Sequence, residues 1–304
     1  MRAMGETGRV QLVATDLDGT VVGRDGTISE RTLAALRACE EAGVHVVFVT
    51  GRPPRWMQPV ALATGHQGTA ICANGAIVYD LREERVVRAR TLTVHDVIEV
   101  VARVRQAIGP VAVALETLEG FVREPGYATP WGVVSDGPVG ELEELLAQAP
   151  SVVKVLLRQQ SNNGDDMLAA TRPLLAGLAQ PTHSNVADCL LEVSALGVSK
   201  AATLAEVADE RGVTAAGVVA FGDMPNDREM LAWAGRGYAM ADGHAEAIAA
   251  ADEVAPPCAE DGVAQVLERL LGEQAGETLS ETAARPAQPP SPRPPDRPAV
   301  RPGR

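Results

Sequence analysis

The chain has 304 residues and a formal net charge of −13 at neutral pH. This length is enough for one large or two modest domains, and the negative charge argues against a general nucleic-acid or anionic-membrane surface. The four cysteines show no paired spacing, which favours reduced thiols. Because the sequence also lacks a secretory pattern and a long apolar run, we expect a cytoplasmic protein without a membrane partner.

Short apolar runs alternate with amphipathic segments in the first part of the chain. The pattern predicts three strands separated by helices, at Val10–Thr15, Val44–Val49 and Thr69–Ala73. Ser29 is the predicted N-cap of the first helix. Nearly continuous apolar strands that alternate with helices indicate a parallel sheet covered on both faces.

The same alternation returns late in the chain, from Ser199 to Leu271. The segment between these two parts, residues 80–186, has a different pattern of mixed helices and strands. Val94–Ala107 has helical periodicity, and three segments read as strands: Val111–Leu115, Gly120–Arg123 and Val152–Leu157. These patterns predict a second domain inserted into the first. We assign residues 9–79 and 187–272 to a core domain, 80–186 to the inserted domain and 1–8 to an N-terminal extension.

Residues 273–304 have a different composition. Apolar residues become sparse, and Arg285–Arg304 is dominated by proline and arginine. Such a segment cannot bury enough surface to offset its ordering entropy, so we expect disorder. A Pro-rich stretch could dock on a partner as a polyproline II helix, but a plain solvated tail is the favoured interpretation.

The run Asp16-Leu17-Asp18-Gly19-Thr20 follows the first predicted strand. Alternate residues of a strand share a face, so Asp16 and Asp18 can point into one small volume. Two close carboxylates raise each other's pKa, and a divalent cation with oxygen ligands offsets that cost. One carboxylate could then act as a nucleophile and the other as a proton donor. An ordinary Asp-Gly turn is the alternative.

Three further elements carry candidate chemistry. Thr50-Gly51-Arg52 ends the second strand and suits an anion cradle or a turn. Lys200 opens a predicted helix, where an ammonium would add charge for a phosphate, although most lysines are merely solvated. Gly222–Asp227 follows a later strand, and its Asp223 and Asp227 could complete a magnesium shell, or Asp227 could only cap a helix.

Three of these four elements lie at the carboxyl ends of predicted parallel strands, where open α/β sheets place their ligands. In order, they read DLDGT, TGR, GVSK and GDMPND. This set resembles the haloacid dehalogenase-like (HAD) hydrolase superfamily, and Ala73-Asn74-Gly75-Ala76 is similar to its Cof-type phosphatase branch. The resemblance implies a Rossmann-like, doubly wound parallel-sheet α/β core with an inserted α/β cap domain of type IIB.

The resemblance also implies roles for individual residues. Asp16 would be the nucleophile that takes the phosphoryl group, and Asp18 would protonate the leaving alcohol and later deprotonate water. Mg²⁺ would be held by Asp16, the main-chain carbonyl of Asp18 and Asp223, with Asp227 behind them. The implied phosphate-binding residues are Thr50, Gly51, Lys200 and Asn226.

The leading hypothesis is a Mg²⁺-dependent phosphatase of small phosphorylated metabolites, which would close a cap over its substrate. A phosphomutase on the same fold is the first alternative, and a non-catalytic binding protein that uses its Pro-rich tail is the second. The candidate specificity residues are Arg52, Asn74, Arg123, Trp131, Arg158 and His183. The sequence does not indicate which phosphorylated compound is the substrate or the oligomeric state.

Overall fold

The computed structural model describes residues 9–128, 137–160, 163–186 and 189–284, with side chains to residue 276. Within these ranges the chain forms two sheets, one of eight strands and one of five. No helix in the described ranges is both long and apolar enough to cross a membrane.

The eight-stranded sheet is built from both ends of the chain. Its strands are β1 Leu12–Thr15, β2 His45–Val49, β3 Thr69–Cys72, β4 Ile77–Asp80, β5 Arg85–Ala89, β11 Val218–Gly222, β12 Arg236–Met240 and β13 Glu253–Ala255. They lie in the order β13-β12-β11-β1-β2-β3-β4-β5. The first six are parallel, and β4 and β5 form an antiparallel extension.

Helices cover both faces of this sheet, which confirms the predicted doubly wound α/β core. They are α1 Glu30–Glu41, α2 Gln58–Thr64, α6 Lys200–Asp209, α7 Arg228–Trp233, α8 Ala245–Ala250 and α9 Gly262–Ala284. Ser29 caps α1 as predicted, because its side chain accepts a hydrogen bond from the Thr32 amide. All of β1 is buried between the two helical layers, as expected for a central parallel strand.

The five-stranded sheet belongs to the inserted segment, which we call the cap. Its strands are β6 Ala112–Thr117, β7 Phe121–Arg123, β8 Val152–Arg158, β9 Ala179–Thr182 and β10 Leu190–Ala195. They are antiparallel in the order β7-β6-β8-β10-β9. Apolar side chains on one face pack with the cap helices α3 Val94–Ile108, α4 Leu142–Gln148 and α5 Gly164–Leu175.

The opposite face of the cap sheet is more polar and faces the core domain. Glu116, Lys154, Glu192 and Ser194 alternate along their strands with residues of the cap core, and all four are buried. Because successive residues of a strand point to opposite faces, these polar side chains are directed at the edge of the eight-stranded sheet. Lys154 and Glu192 make direct hydrogen bonds to that edge.

The predicted domain boundaries at residues 80 and 187 need correction. The strand β5 belongs to the core sheet although it lies inside the predicted insertion, and β10 belongs to the cap sheet although it lies outside. Both strands pair antiparallel with a neighbour, a relation that apolar patterning alone does not specify. The chain crosses between the two sheets at residues 90–93 and 196–199, between β5 and α3 and between β10 and α6.

The C-terminal helix is longer than the sequence pattern predicts. The helix α9 continues to Ala284, whereas we expected disorder from residue 273. Gln274 lies on this extension and donates a hydrogen bond to the Val10 carbonyl at 3.2 Å, so the first extra turn is tied to the core. The prediction for residues 285–304 lies outside the described residues.

Candidate active site

The topology gathers the four sequence motifs at one edge of the core sheet. The strands β11, β1 and β2 are parallel neighbours, so the residues that follow them meet at their shared carboxyl edge. Asp16 follows β1, Thr50 follows β2 and Asp223 follows β11. Lys200 comes from the first position of α6.

Three carboxylates converge at this edge. Oxygen atoms of Asp16, Asp223 and Asp227 lie within 4.8 Å of one another. The fully buried Lys200 ammonium donates hydrogen bonds to Asp16 Oδ1 at 2.5 Å and to Asp227 Oδ1 at 2.6 Å. One buried cation therefore faces three acidic side chains, and the cluster keeps an excess of negative charge.

Burial and mutual repulsion disfavour ionisation within this cluster. Burial raises the pKa of Asp16 to about 7, opposed by Lys200 and reinforced by Asp227. Burial, with Asp16 and Asp227, raises the pKa of Asp223 to about 9. The donors are all carboxylate oxygens, which are the ligands preferred by Mg²⁺, and a divalent cation would neutralise the excess charge. The residues present therefore fit a magnesium ion.

Asp227 has a role distinct from that of the other two carboxylates. Its Oδ2 accepts hydrogen bonds from the backbone amides of Asp223 and Met224 at 3.1 and 3.0 Å, and its Oδ1 is bound by Lys200. Both oxygens are thus engaged by the protein. Asp227 fixes the loop that presents Asp223 and anchors the lysine.

Gly19 lets two motifs approach each other closely. It has a left-handed φ of 85°, and a Cβ at this position would clash with the Asp223 carboxylate. Thr20 next to it donates a hydrogen bond to Asp223 Oδ1 at 3.3 Å. The glycine of the first motif is therefore required both for the turn and for contact with the fourth motif.

Asp18 lies apart from the carboxylate cluster. Its side chain is largely exposed and pairs with the Arg52 guanidinium through two hydrogen bonds, one of them 2.8 Å from Arg52 Nε to Asp18 Oδ2. The Asp18 hydrogen bond raises the pKa of Arg52. Thr50 is buried, and its hydroxyl accepts a hydrogen bond from the Arg52 amide. Arg52, a candidate for specificity, therefore holds Asp18.

Sequence reasoning missed two charged cap residues that reach the site. Lys154 Nζ donates to the Gly51 carbonyl at 2.7 Å and to Glu192 Oε1 at 2.9 Å. Glu192 Oε2 accepts from Asn74 Nδ2 at 2.8 Å, and Asn226 Nδ2 donates to Asn74 Oδ1 at 3.0 Å. In both strands a charged residue interrupts an apolar run, Lys154 within residues 152–157 and Glu192 within residues 190–193. This interruption is the sequence signal that could have found them.

The remaining cap candidates have mostly structural contacts. Arg123 Nη1 donates to the Tyr127 carbonyl at 3.4 Å, and the Arg158 guanidinium lies 5.8 Å from the centre of the Tyr127 ring. His183 is fully buried, and its Nε2 lies 2.8 Å from the Asp165 carboxylate. Trp131 lies outside the described residues. His183 is linked to His244 of the core domain through Asp165.

Asp165 joins His183 in the cap to His244 in the core. Its carboxylate lies 2.8 Å from His183 Nε2 and 3.1 Å from His244 Nε2. His244 Nδ1 accepts the Glu246 amide at the start of α8, so the neutral ring carries its proton on Nε2 and donates to Asp165. A metal ligand would need that nitrogen free and an acceptor at Nδ1. This group is therefore a hydrogen-bonded tie between the domains.

An aspartate cluster at the carboxyl edge of a parallel sheet, beneath an inserted mixed domain, defines a capped enzyme of the doubly wound α/β class. A model of the haloacid dehalogenase-like hydrolases matches residues 13–267, which is most of the chain. The chain belongs to the haloacid dehalogenase-like hydrolase family, as the four motifs predicted.

Relatives with curated names are phosphatases. The chain is 28% identical over 273 residues to the 5-amino-6-(5-phospho-D-ribitylamino)uracil phosphatase YitU of Bacillus subtilis, covering 84% of this chain and 96% of the relative. It is 30% identical over 246 residues to the HMP-PP phosphatase of Escherichia coli O8, covering 76% and 84%. It is also 30% identical to the phosphoglycolate phosphatase of Natronomonas pharaonis, covering 84% and 96%. The prediction of an enzyme of the HAD phosphatase type, a phosphoric monoester hydrolase, is confirmed.

Solved structures share the whole architecture. The phosphatase BT1666 of Bacteroides thetaiotaomicron superposes with a TM-score of 0.73 at 24% identity, covering 89% of this chain and 98% of that one. The sugar phosphatase BT4131, described as HAD subclass IIB, superposes with a TM-score of 0.70 at 21% identity, covering 86% and 98%. These likenesses confirm the predicted core and cap fold.

Proposed function

We propose that this chain is a Mg²⁺-dependent phosphatase that hydrolyses small phosphomonoesters through an aspartyl-phosphate intermediate. The observation that carries the proposal is the buried cluster of Asp16, Asp223 and Asp227 around the Lys200 ammonium. The named relatives, which are phosphatases of small metabolites, support the substrate size. The cap over the cluster supports it as well, because a polymer would not fit beneath it.

In the first half-reaction, an oxygen of Asp16 attacks the phosphorus atom and the bond from phosphorus to the leaving alcohol breaks. Protonated Asp18 gives its proton to the leaving oxygen, and the phosphoryl group remains on Asp16. The Lys200 ammonium, the Thr50 hydroxyl and the Gly51 amide are the proposed donors to the transferring oxygens. Phosphoryl transfer needs such positioning and charge neutralisation more than covalent participation by other groups.

In the second half-reaction, Asp18 accepts a proton from water as that water attacks phosphorus. The bond from phosphorus to Asp16 breaks, and free phosphate and the original carboxylate result. The ion pair with Arg52 positions the Asp18 side chain, and the carboxylate is the form that accepts a proton in this step.

Asp16, Asp223 and the main-chain carbonyl of Asp18 are the residues proposed to hold Mg²⁺. The bound ion would supply Lewis-acid stabilisation of the charge on the phosphoryl oxygens. Asp227 would act through the loop amides and Lys200 that it holds. Asp16 thus has two proposed tasks, as ligand and as nucleophile.

The test is phosphate release by the purified protein from a broad panel of phosphorylated metabolites, with Mg²⁺ and after treatment with a chelator. We expect turnover that stops on chelation and returns when Mg²⁺ is added. Full activity without any divalent ion would contradict the metal assignment. Transfer of the phosphoryl group to a second hydroxyl without phosphate release would identify the phosphomutase alternative. No turnover of any compound would favour the binding-protein alternative.

A further inference from the structure

Two buried polar atoms belong to residues that line one narrow cleft between the cap and the core. Ser194 Oγ on β10 and Asn226 Oδ1 in the fourth motif have no hydrogen-bond partner among the described residues. Both residues line the same cleft, which also borders Lys200. Ser194 is only 2% exposed. A buried polar atom left unpaired is costly, so such atoms point to a ligand that completes them.

A chain of hydrogen bonds fixes which atom Asn226 offers to the cleft. The Glu192 carboxylate can only accept, so the Asn74 amide nitrogen turns towards it. Asn74 Oδ1 is then left to accept from Asn226 Nδ2. Asn226 consequently presents its carbonyl oxygen, an acceptor, to the cleft. The charge on Glu192 therefore sets the amide orientation of Asn226 through two successive hydrogen bonds. This orientation does not suit the phosphate-binding role that the family resemblance implied for Asn226.

Glu192 keeps that charge in the folded protein. Burial alone would raise its pKa, but the attraction and hydrogen bond of Lys154, with the Asn74 bond, hold the pKa of Glu192 below its ordinary value. The two side chains are 4% and 7% exposed, so solvent screens the pair weakly. The orientation of Asn74 and Asn226 is therefore stable at neutral pH.

The cleft is built for a group that donates hydrogen bonds. A hydroxyl can donate to Asn226 Oδ1 and also bond to the Ser194 hydroxyl, and an amine can do the same. A phosphate or carboxylate carries only acceptors at neutral pH and would face the Asn226 carbonyl oxygen unfavourably. Two arginines at the rim, Arg172 and Arg228, would attract an anion, but the Glu246 carboxylate lies 3.5 and 3.7 Å from them.

We propose that Ser194 and Asn226 recognise a hydroxyl or amino group on the leaving alcohol, and that Glu192 sets this preference by orienting Asn74 and Asn226. The substrate class is then a polyol or amino-alcohol monophosphate, in preference to a compound with a second phosphate or a carboxylate near the ester. This inference rests on the proposed phosphatase function, and it assigns Glu192 as a positioning residue.

The experiment compares kcat/KM for three probes, ribitol 5-phosphate, n-pentyl phosphate and phosphoglycolate, with Mg²⁺ present. We expect the wild type to prefer ribitol 5-phosphate over the other two by about tenfold or more. Ser194→Ala should lower the preference over pentyl phosphate about fivefold, because one hydrogen bond is lost. Ser184→Ala, an exposed serine outside the cleft, is the matched control.

Glu192→Gln gives the sharper test. Lys154 would donate to the carbonyl oxygen of the introduced glutamine, so the NH₂ group of the glutamine would face Asn74. The side-chain amides of Asn74 and Asn226 would then both reverse, and Asn226 would present its NH₂ group to the cleft. We expect the ratio of kcat/KM for ribitol 5-phosphate to kcat/KM for phosphoglycolate to fall about tenfold in this variant. Equal kcat/KM for all three probes in the wild type, or an unchanged ratio in Glu192→Gln and Ser194→Ala, would overturn the inference and leave the phosphatase proposal standing. Hydrolysis of none of the three would overturn both.

Discussion

The two sheets place their functional residues in different ways. The parallel core sheet places Asp16, Thr50 and Asp223 beyond the ends of its strands, where each side chain follows an apolar run in the sequence. The antiparallel cap sheet places Lys154 and Glu192 within its strands, on alternate positions of one face. The functional residues of the core can thus be recognised from the strands that precede them in the sequence. Those of the cap can be recognised only once it is known which face of the cap sheet packs on the core.

This difference separates the two tasks of the enzyme. The edge residues are the groups that we propose attack phosphorus, bind the transferring oxygens or hold Mg²⁺, and all of them come from the core domain. Lys154 and Glu192, on the face of the cap sheet, bond to the Gly51 carbonyl and to Asn74 at the edge of the core sheet. These bonds hold the two domains together at the site. Changes at the edge should therefore affect turnover most, and changes on the face should affect stability and substrate choice.

Asp16→Asn should have the largest effect on turnover. Because the amide is a poor nucleophile and a weaker Mg²⁺ ligand, we expect kcat for any phosphomonoester to fall at least about 1,000-fold. The fold should persist, which circular dichroism can verify, and Asp25→Asn is a control at an exposed loop carboxylate. Retained turnover would contradict the nucleophile assignment.

Lys154→Met should have the largest effect on stability. It leaves the Glu192 charge buried without its cation, and breaking such a pair costs about 3–5 kcal/mol. Denaturant unfolding measures this loss directly. Adding Glu192→Gln in the same chain removes the unpaired charge and should restore at least half of the lost stability. A double variant no more stable than Lys154→Met would show that the ion pair is not the cause.

Arg52→Ala should affect turnover in a way that depends on the leaving group. Without the guanidinium, the Asp18 side chain loses the two hydrogen bonds that position it, so the steps in which Asp18 gives or takes a proton should slow. We expect about a tenfold loss of kcat for an alkyl phosphate and a smaller loss for an aryl phosphate, whose leaving group needs little protonation. Equal losses on both substrates would indicate a purely structural role for Arg52.

His183 should have the smallest effect, visible as pH dependence of stability. Burial lowers the pKa of His183 from its ordinary 6.5, although Asp165 opposes this and His244 and Glu192 also face it. As pH falls below 6.5, the unfolded chain therefore binds a proton that the folded chain excludes, and stability is lost. Between about pH 7.5 and pH 5.5, the wild type should lose more stability in denaturant unfolding than His183→Asn. An exposed control, His45→Asn, should behave as the wild type.

The sequence predicted the core well because its signals are local. An apolar run followed by an acidic turn is visible in one strand, and the parallel order follows from the alternation with helices. The boundaries failed because β5 joins the core sheet through its hairpin with β4, and β10 joins the cap sheet through β8; an apolar pattern does not show which strand another strand pairs with. The face of the cap was missed for the same reason, since Lys154 and Glu192 acquire meaning only when their two strands lie side by side with the core. The extension of α9 was missed because its apolar pattern weakens after Leu271.

Two short segments, residues 90–93 and 196–199, connect the cap to the core domain, so the cap could be replaced as one unit. A different substrate-facing unit could be spliced in at these points without interrupting any of the four motifs. The second crossing sets the one strict condition, because Lys200 follows it at once and must still reach Asp16. A chimaera that alters the length of 196–199 would misplace the ammonium even if both parent domains fold correctly.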